Sequence, residues 1–178
     1  MIINSEELYD WQKIYIEYEG NTTMKGGRQG GKSMSAAKRI KRCIEKYPGE
    51  IHLIIAASER QENYLFDKFK DEMGKYYKYK SRPTINKLHL QDDTIVYKFP
   101  VGKTGVYVEG LSNVAFLWID EAIHMSERVY DSIIPMLAEP RKRGLGWINM
   151  LSATRGKPKG HFVDSFKDKN YLHVSIRA

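Results

Sequence analysis

Hydrophobic residues along this chain fall into two rhythms. Ile51–Ala57, Val114–Ile119 and Trp147–Leu151 are apolar at nearly every position, without the alternation of a half-exposed strand. Strands buried on both faces of a parallel sheet read this way. Between them, Lys32–Tyr47 carries Met34, Ala37, Ile40 and Ile44 at helical spacing and stops at Pro48-Gly49. Ser58 opens a second such helix, which reaches Met73 and closes at Gly74. Ser126 opens another, running through Val129, Ile133 and Leu137 with a kink at Pro135, and His161–Phe166 is a shorter one. Ser5–Tyr15 predicts a helix at the start, capped by Ser5. Thr22–Lys25, Val106–Val108 and Tyr171–Ile176 predict further strands. Ile85–Leu90 and Thr94–Phe99, turning at Gln91-Asp92-Asp93, predict an antiparallel hairpin on the sheet edge. Strands alternating with helices predict a three-layer α/β domain with a mostly parallel sheet.

Composition narrows the class without naming a function. At 178 residues the chain suits one domain with a proper core, and 42% hydrophobic with 29% charged residues is ordinary for a globular protein. The net charge of +7 favours an anionic partner such as nucleic acid, though a basic solvated surface explains it equally well. Lys38, Arg39, Lys41, Arg42 and Lys46 read as a solvated helix face, with contact to DNA phosphates as the alternative. The basic, tyrosine-rich stretch Lys75–Arg82 reads as an exposed connector, with stacking on nucleic acid as its alternative. One cysteine, Cys43, excludes an intrachain disulfide, and the five histidines show no metal-ligand spacing. Glu6, Glu7 and Asp10 do not suit a signal peptide, and the apolar runs are too short to span a membrane. An intracellular location is the expectation.

The chemistry concentrates at three places. Gly26-Gly27-Arg28-Gln29-Gly30-Gly31-Lys32-Ser33 fits the phosphate-loop pattern G-x-x-x-x-G-K-[ST] without a mismatch. Glycines let backbone N–H groups approach a triphosphate, Lys32 meets the β- and γ-phosphates, and Ser33 supplies a hydroxyl for Mg²⁺. The helix starting near Lys32 points its positive end at the same phosphates. Val114–Ile119 ends in Asp120-Glu121, two carboxylates that are costly at a buried strand end unless they are used. Asp120 is suited to hold Mg²⁺, and Glu121 to orient and deprotonate the attacking water. Trp147–Leu151 ends in Ser152-Ala153-Thr154, where a hydroxyl can sense a γ-phosphate. Upstream, Gln12 offers an amide to an adenine edge and Trp11 or Tyr9 an apolar wall, although packing of this aromatic helix on the core accounts for them as well.

These segments together resemble the ATPase domain of phage large terminases, the motors that package DNA into capsids. The resemblance runs from about Tyr9 to Ala178, through Gly26–Ser33, Phe116–Ala122 and Leu151–Gly156. It implies the ASCE, RecA-like phosphate-loop fold, with Trp147–Leu151 lying between Thr22–Lys25 and Val114–Ile119. It implies ATP and Mg²⁺ as ligands, Lys32 and Ser33 on phosphate and metal, Asp120 on metal and Glu121 as catalytic carboxylate. Arg28 occupies the place of the terminase loop arginine, Trp11-Gln12 looks like the adenine-contacting motif, and Thr154 falls in the motif coupling hydrolysis to movement. Implied partners are double-stranded DNA, a small terminase subunit and a portal, with a homo-oligomer when assembled, a monomer in isolation, and the bacterial host cytoplasm as the location. An arginine from a neighbouring subunit is a further expectation, with Arg128, Arg141, Arg143 and Arg155 as donors. Terminases also carry a C-terminal nuclease domain; nothing after Tyr171–Ile176 has the length for one, so a single ATPase domain without DNA cleavage is expected. Two alternatives stay open: a superfamily 2 helicase-like ATPase fragment, and an ATP-binding assembly switch.

Overall fold

The computed structural model describes residues 8–27, 31–57, 59–74, 78–101, 110–153 and 159–176. A seven-stranded sheet forms the middle layer. Its strands are β1 (Asn21–Gly26), β2 (Ile51–Ala56), β3 (Lys87–His89), β4 (Ile95–Pro100), β5 (Val114–Asp120), β6 (Trp147–Ser152) and β7 (Tyr171–Ile176). The spatial order is β3-β4-β2-β5-β6-β1-β7, and among the described residues only the β3–β4 pair of strands is antiparallel. β6 therefore separates the loop-bearing β1 from β5, as the sequence predicts.

Burial on both faces explains the unbroken apolar runs. Ile54, Phe116, Trp118 and Leu151 face one core with Tyr15, Ile40, Leu65 and Phe69, from α1 (Asp10–Glu17), α2 (Lys32–Lys46) and α3 (Glu59–Met73). Leu53, Ile55, Leu117, Ile119 and Met150 face the other, with Val129, Ile133, Leu137 and Phe162. That layer is built from α4 (Glu127–Ile133), α5 (Ala138–Arg141) and α6 (His161–Ser165). Pro135 acts as predicted: α4 gives way at Ile134–Leu137 to a 3₁₀ turn before α5 begins.

Three expectations change. The first helix begins at Asp10, capped by Tyr9, and continues to Glu17, because Leu8 and Tyr9 are not helical. The hairpin is not a wholly antiparallel decoration: β4 joins the sheet parallel to β2, with Val96 packed on one core and Tyr97 and Phe99 against the other. Only β3 is left as an antiparallel edge. Arg39 does not belong to a solvated face; it is fully buried. Ser5, Ser58 and the Val106–Val108 strand lie outside the described residues.

Candidate functional site

Parallel strands deliver their carboxyl ends to one edge, and the register levels three of them. Lys25 of β1 pairs with Ser152 of β6, and Met150 of β6 pairs with Ile119 of β5, which sets Glu121 level with Ser152. The spacing of sheet strands makes the distance from β1 to β5, across β6, about 10 Å. The glycine loop, the serine and the carboxylate pair thus line one rim.

At the loop, Gly26 is required first by the sheet. A Cβ there would lie 2.8 Å from Ile176 Cβ on the paired strand β7. Gly31 caps α2 at φ 73°, in the left-handed region that favours glycine. Lys32, the first residue of α2, donates from Nζ to the carbonyls of Gly26 (3.0 Å) and Gly27 (2.7 Å). An ammonium has three donors, so one remains for a ligand oxygen. Burial lowers the Lys32 pKa, while Glu121 and Asp120 push the other way by stabilising the charged amine. Arg28, Gln29 and Gly30 lie outside the described residues.

At the end of β5, Asp120 is 7% exposed and accepts the Glu121 N–H at 2.9 Å. Burial lifts its carboxyl to about 6; that backbone hydrogen bond opposes the shift, the neighbouring Glu121 charge adds to it, and Lys32 opposes it. A carboxylate stripped of water is a ready partner for a cation. Glu121 adopts φ 49°, ψ 43°, a left-handed conformation uncommon outside glycine. Its Oε2 accepts from Ser152 Oγ and from Ala153 N–H, each at 3.4 Å. Ser152 Oγ in turn accepts the Ile123 N–H at 3.3 Å. Ser152 is the residue the sequence reading passed over in favour of Thr154, which lies outside the described residues; its signal was its place in the same strand-end triplet.

Among the described residues, no group of three or more His, Cys, Asp or Glu gathers to hold a metal ion. Mg²⁺ in nucleotide sites is held by one or two protein ligands plus phosphates, not by an all-protein cage. Asp120 and Ser33, the second residue of α2, fit Mg²⁺ on those terms.

On the near side, α1 brings Trp11 and Gln12 beside α2. Trp11 is partly buried against the core, and Gln12 is 3% exposed. Of the arginines considered for a neighbouring site, Arg143 is engaged by Glu50 in a double contact (Nη2–Oε2 2.7 Å), and Arg141 Nε donates to Gly146 O at 3.4 Å. Glu50 precedes β2, so that pair sits at the amino ends of the strands, away from the glycine loop. Arg128 is exposed on the first turn of α4, on the chain leaving the carboxyl end of β5. Arg155 lies outside the described residues.

No protein-family model matches the chain, and no curated protein matches it by sequence. Solved structures do match. The large terminase of a thermophilic bacteriophage superposes with a TM-score of 0.75 at 14% identity, over 96% of this chain and 46% of that one; it has also been solved in complex with ADP. The large terminase ATPase domain of Thermus phage P74-26 gives a TM-score of 0.71 at 15% identity, over 96% of this chain and 81% of that one. The N-terminal domain of the DNA packaging ATPase from bacteriophage phi29 gives 0.58 at 13% identity, over 94% and 95%. The chain spans about half the length of the first of these. The fold is that of phage large terminase ATPase domains, a phosphate-loop α/β fold.

Proposed function

We propose that these 178 residues form the ATP-hydrolysing domain of a phage DNA-packaging motor. The observation that carries this reading is the rim on which Lys32, Ser152 and the Asp120-Glu121 pair share three adjoining strand ends. Such a row suits phosphoryl transfer, where positioning and charge stabilisation supply nearly all of the catalysis. Lys32 brings its remaining donor to the β- and γ-phosphates. Ser33 and Asp120 would hold Mg²⁺ together with the phosphates, and the ion would supply neutralising charge there. Glu121 leaves Ser152 and Ala153 to orient a water in line with the γ-phosphate and take its proton. Arg28, from the glycine loop, neutralises charge that develops in the transition state, and Thr154 couples hydrolysis to movement. Trp11 walls the base.

The likeness to a DNA packaging ATPase supports DNA as the polymer moved; double-stranded DNA, a portal and a small terminase subunit are the partners of this proposal. The motor works as a homo-oligomer in the cytoplasm of the bacterial host, and the isolated chain is a monomer. DNA cleavage is not assigned to these residues. Arg128 is the described donor best suited to complete a neighbouring site, because it is exposed on the site's own edge.

The test is ATP turnover with Mg²⁺ alongside nucleotide binding. Lys32→Ala abolishes binding. Glu121→Gln keeps binding and loses turnover by about 10²–10⁴-fold, because an amide accepts no proton from water. Parental turnover in Glu121→Gln overturns the base assignment, and absence of ATP binding by the wild type overturns the nucleotide reading itself.

A further inference from the structure

The helix before the glycine loop is fastened to the helix after it at both ends. At the C-terminal end of α1, the buried Arg39 of α2 donates from Nη1 to the carbonyls of Tyr15 (2.6 Å) and Tyr18, and from Nη2 to Gly20 (3.0 Å). Its Nε reaches Asn149 Oδ1 on β6 at 3.1 Å. At the N-terminal end the fastening is a relay through Gln12. The Gln12 Oε1 accepts the Tyr9 N–H at 2.9 Å. Its Nε2 donates to Ser35 Oγ at 2.9 Å, and Ser35 Oγ donates to Gly31 O at 2.9 Å. The Tyr9 N–H can only donate, so it fixes the amide oxygen on its own side and the amino group toward Ser35.

Gly31 is the left-handed residue on which the glycine loop turns into α2, and the Gln12 Nε2 lies 3.3 Å from where a Cβ on it would stand. Gln12 is 3% exposed and Ser35 is fully buried. A side chain enclosed by its own protein, with one amide end committed to α1 and the other to α2, has little surface to offer a base. We propose that Gln12 is a positioning residue that sets the exit of the phosphate loop, and not the reader of an adenine edge. The relay transmits the seat of α1 to Gly31 O, and so to the start of the helix that carries Lys32 and Ser33. The inference rests on the reading of Gly26–Ser33 as a triphosphate site.

The two roles separate on a ligand without a base. Binding of ATP and of inorganic tripolyphosphate, each with Mg²⁺, is measured by calorimetry for the full chain, with thermal unfolding as the check on folding. A loop-positioning Gln12 predicts that Gln12→Ala weakens both ligands by the same factor, about five- to tenfold for a relay of this size. Ser35→Ala, a substitution that favours the helix, breaks the relay from the other side and gives the same loss. The double variant loses no more than either single one. Loss of ATP binding with tripolyphosphate unchanged makes Gln12 a base reader and overturns the proposal. Unchanged binding of both ligands in either variant also overturns it. Should Gln12→Ala not fold, Ser35→Ala decides alone. A wild-type chain that binds neither ligand removes the triphosphate reading and this inference with it, whereas tight wild-type binding with an ATP-only loss removes this inference alone.

Discussion

Asp120 carries the clearest conflict between stability and chemistry at the scale of one residue. Its carboxyl is nearly buried and lifted from 3.8 to about 6, chiefly by loss of water. Folding therefore disfavours the ionised form: stability is fully present below the unfolded value and falls as pH rises through the folded one. Asp120→Asn keeps the shape and removes that charge. The variant is expected to match the wild type below pH 4 and to exceed it by about 1–3 kcal/mol above pH 6, in denaturant titrations without nucleotide. Its Mg²⁺-dependent ATP turnover is lost. Equal stability of the two proteins at pH 7 would contradict the account. The same residue was legible in the sequence, because an acid following a fully apolar run has no cheap structural use. What the sequence could not supply is how Glu121 is held, since Ser152 lies on a strand that enters much later in the chain.

Among the elements, α1 and the turn after it are held by a buried charge as well as by core packing. Among the described residues, Arg39 meets only neutral acceptors within hydrogen-bond reach: the carbonyls of Tyr15, Ile16, Tyr18 and Gly20, and the side chain of Asn149. The carbonyls at the C-terminal end of α1 suit a cation through the helix dipole, and Asn149 is itself tied to Leu117 O and Thr22 Oγ1. Arg39→Met keeps the stem and leaves these acceptors unsatisfied. A loss of roughly 3 kcal/mol or more is expected, with amide exchange accelerated first in residues 15–20. A loss below about 1 kcal/mol would mean that water replaces the guanidinium freely. Helical periodicity could not find Arg39, because five other cations share its helix and periodicity weighs charge, not destination. Asn149 did carry a signal, as the one polar residue inside an apolar strand.

For the whole molecule, the buried histidine on β2 works against tolerance of acid, opposite in sign to Asp120. Trp118 Nε1 donates to His52 Nδ1 at 3.3 Å, and burial holds the imidazole down to about 3. A proton on Nδ1 would face that indole N–H. The unfolded chain binds a proton near 6.5, where the folded chain does not, so stability falls as pH drops from 6.5 toward 3. The expected loss by pH 4.5 is on the order of 2–3 kcal/mol, and His52→Phe removes it. A stability difference between wild type and His52→Phe, from urea midpoints, that stays constant from pH 7 to 4.5 would refute this. At the same scale, a packaging motor should fire only when engaged with DNA and its neighbours. The isolated chain is expected to turn over ATP slowly and to be stimulated by DNA together with the portal. Arg28→Ala and Arg128→Ala should each cost turnover in the assembled motor by more than tenfold, with little change in nucleotide affinity. Rapid hydrolysis by the dilute, DNA-free chain would show that no neighbour is needed.

By itself, the sequence determined the three-layer α/β fold, the position of β6 between β1 and β5, and the residues proposed to meet a triphosphate. Those features are written in short-range patterns: runs apolar on both faces, a glycine octet, and acids at the end of a strand. The phosphate-loop class then supplies the strand order. Tertiary structure decided which strand of the hairpin joins the sheet, that Arg39 turns inward, that Gly26 answers to Ile176, and that Gln12 ties α1 to Ser35. Each of these depends on a partner distant along the chain, 110 residues away in the case of Arg39 and Asn149. A single polar side chain costs or stabilises only according to what it meets, and no local pattern records that meeting.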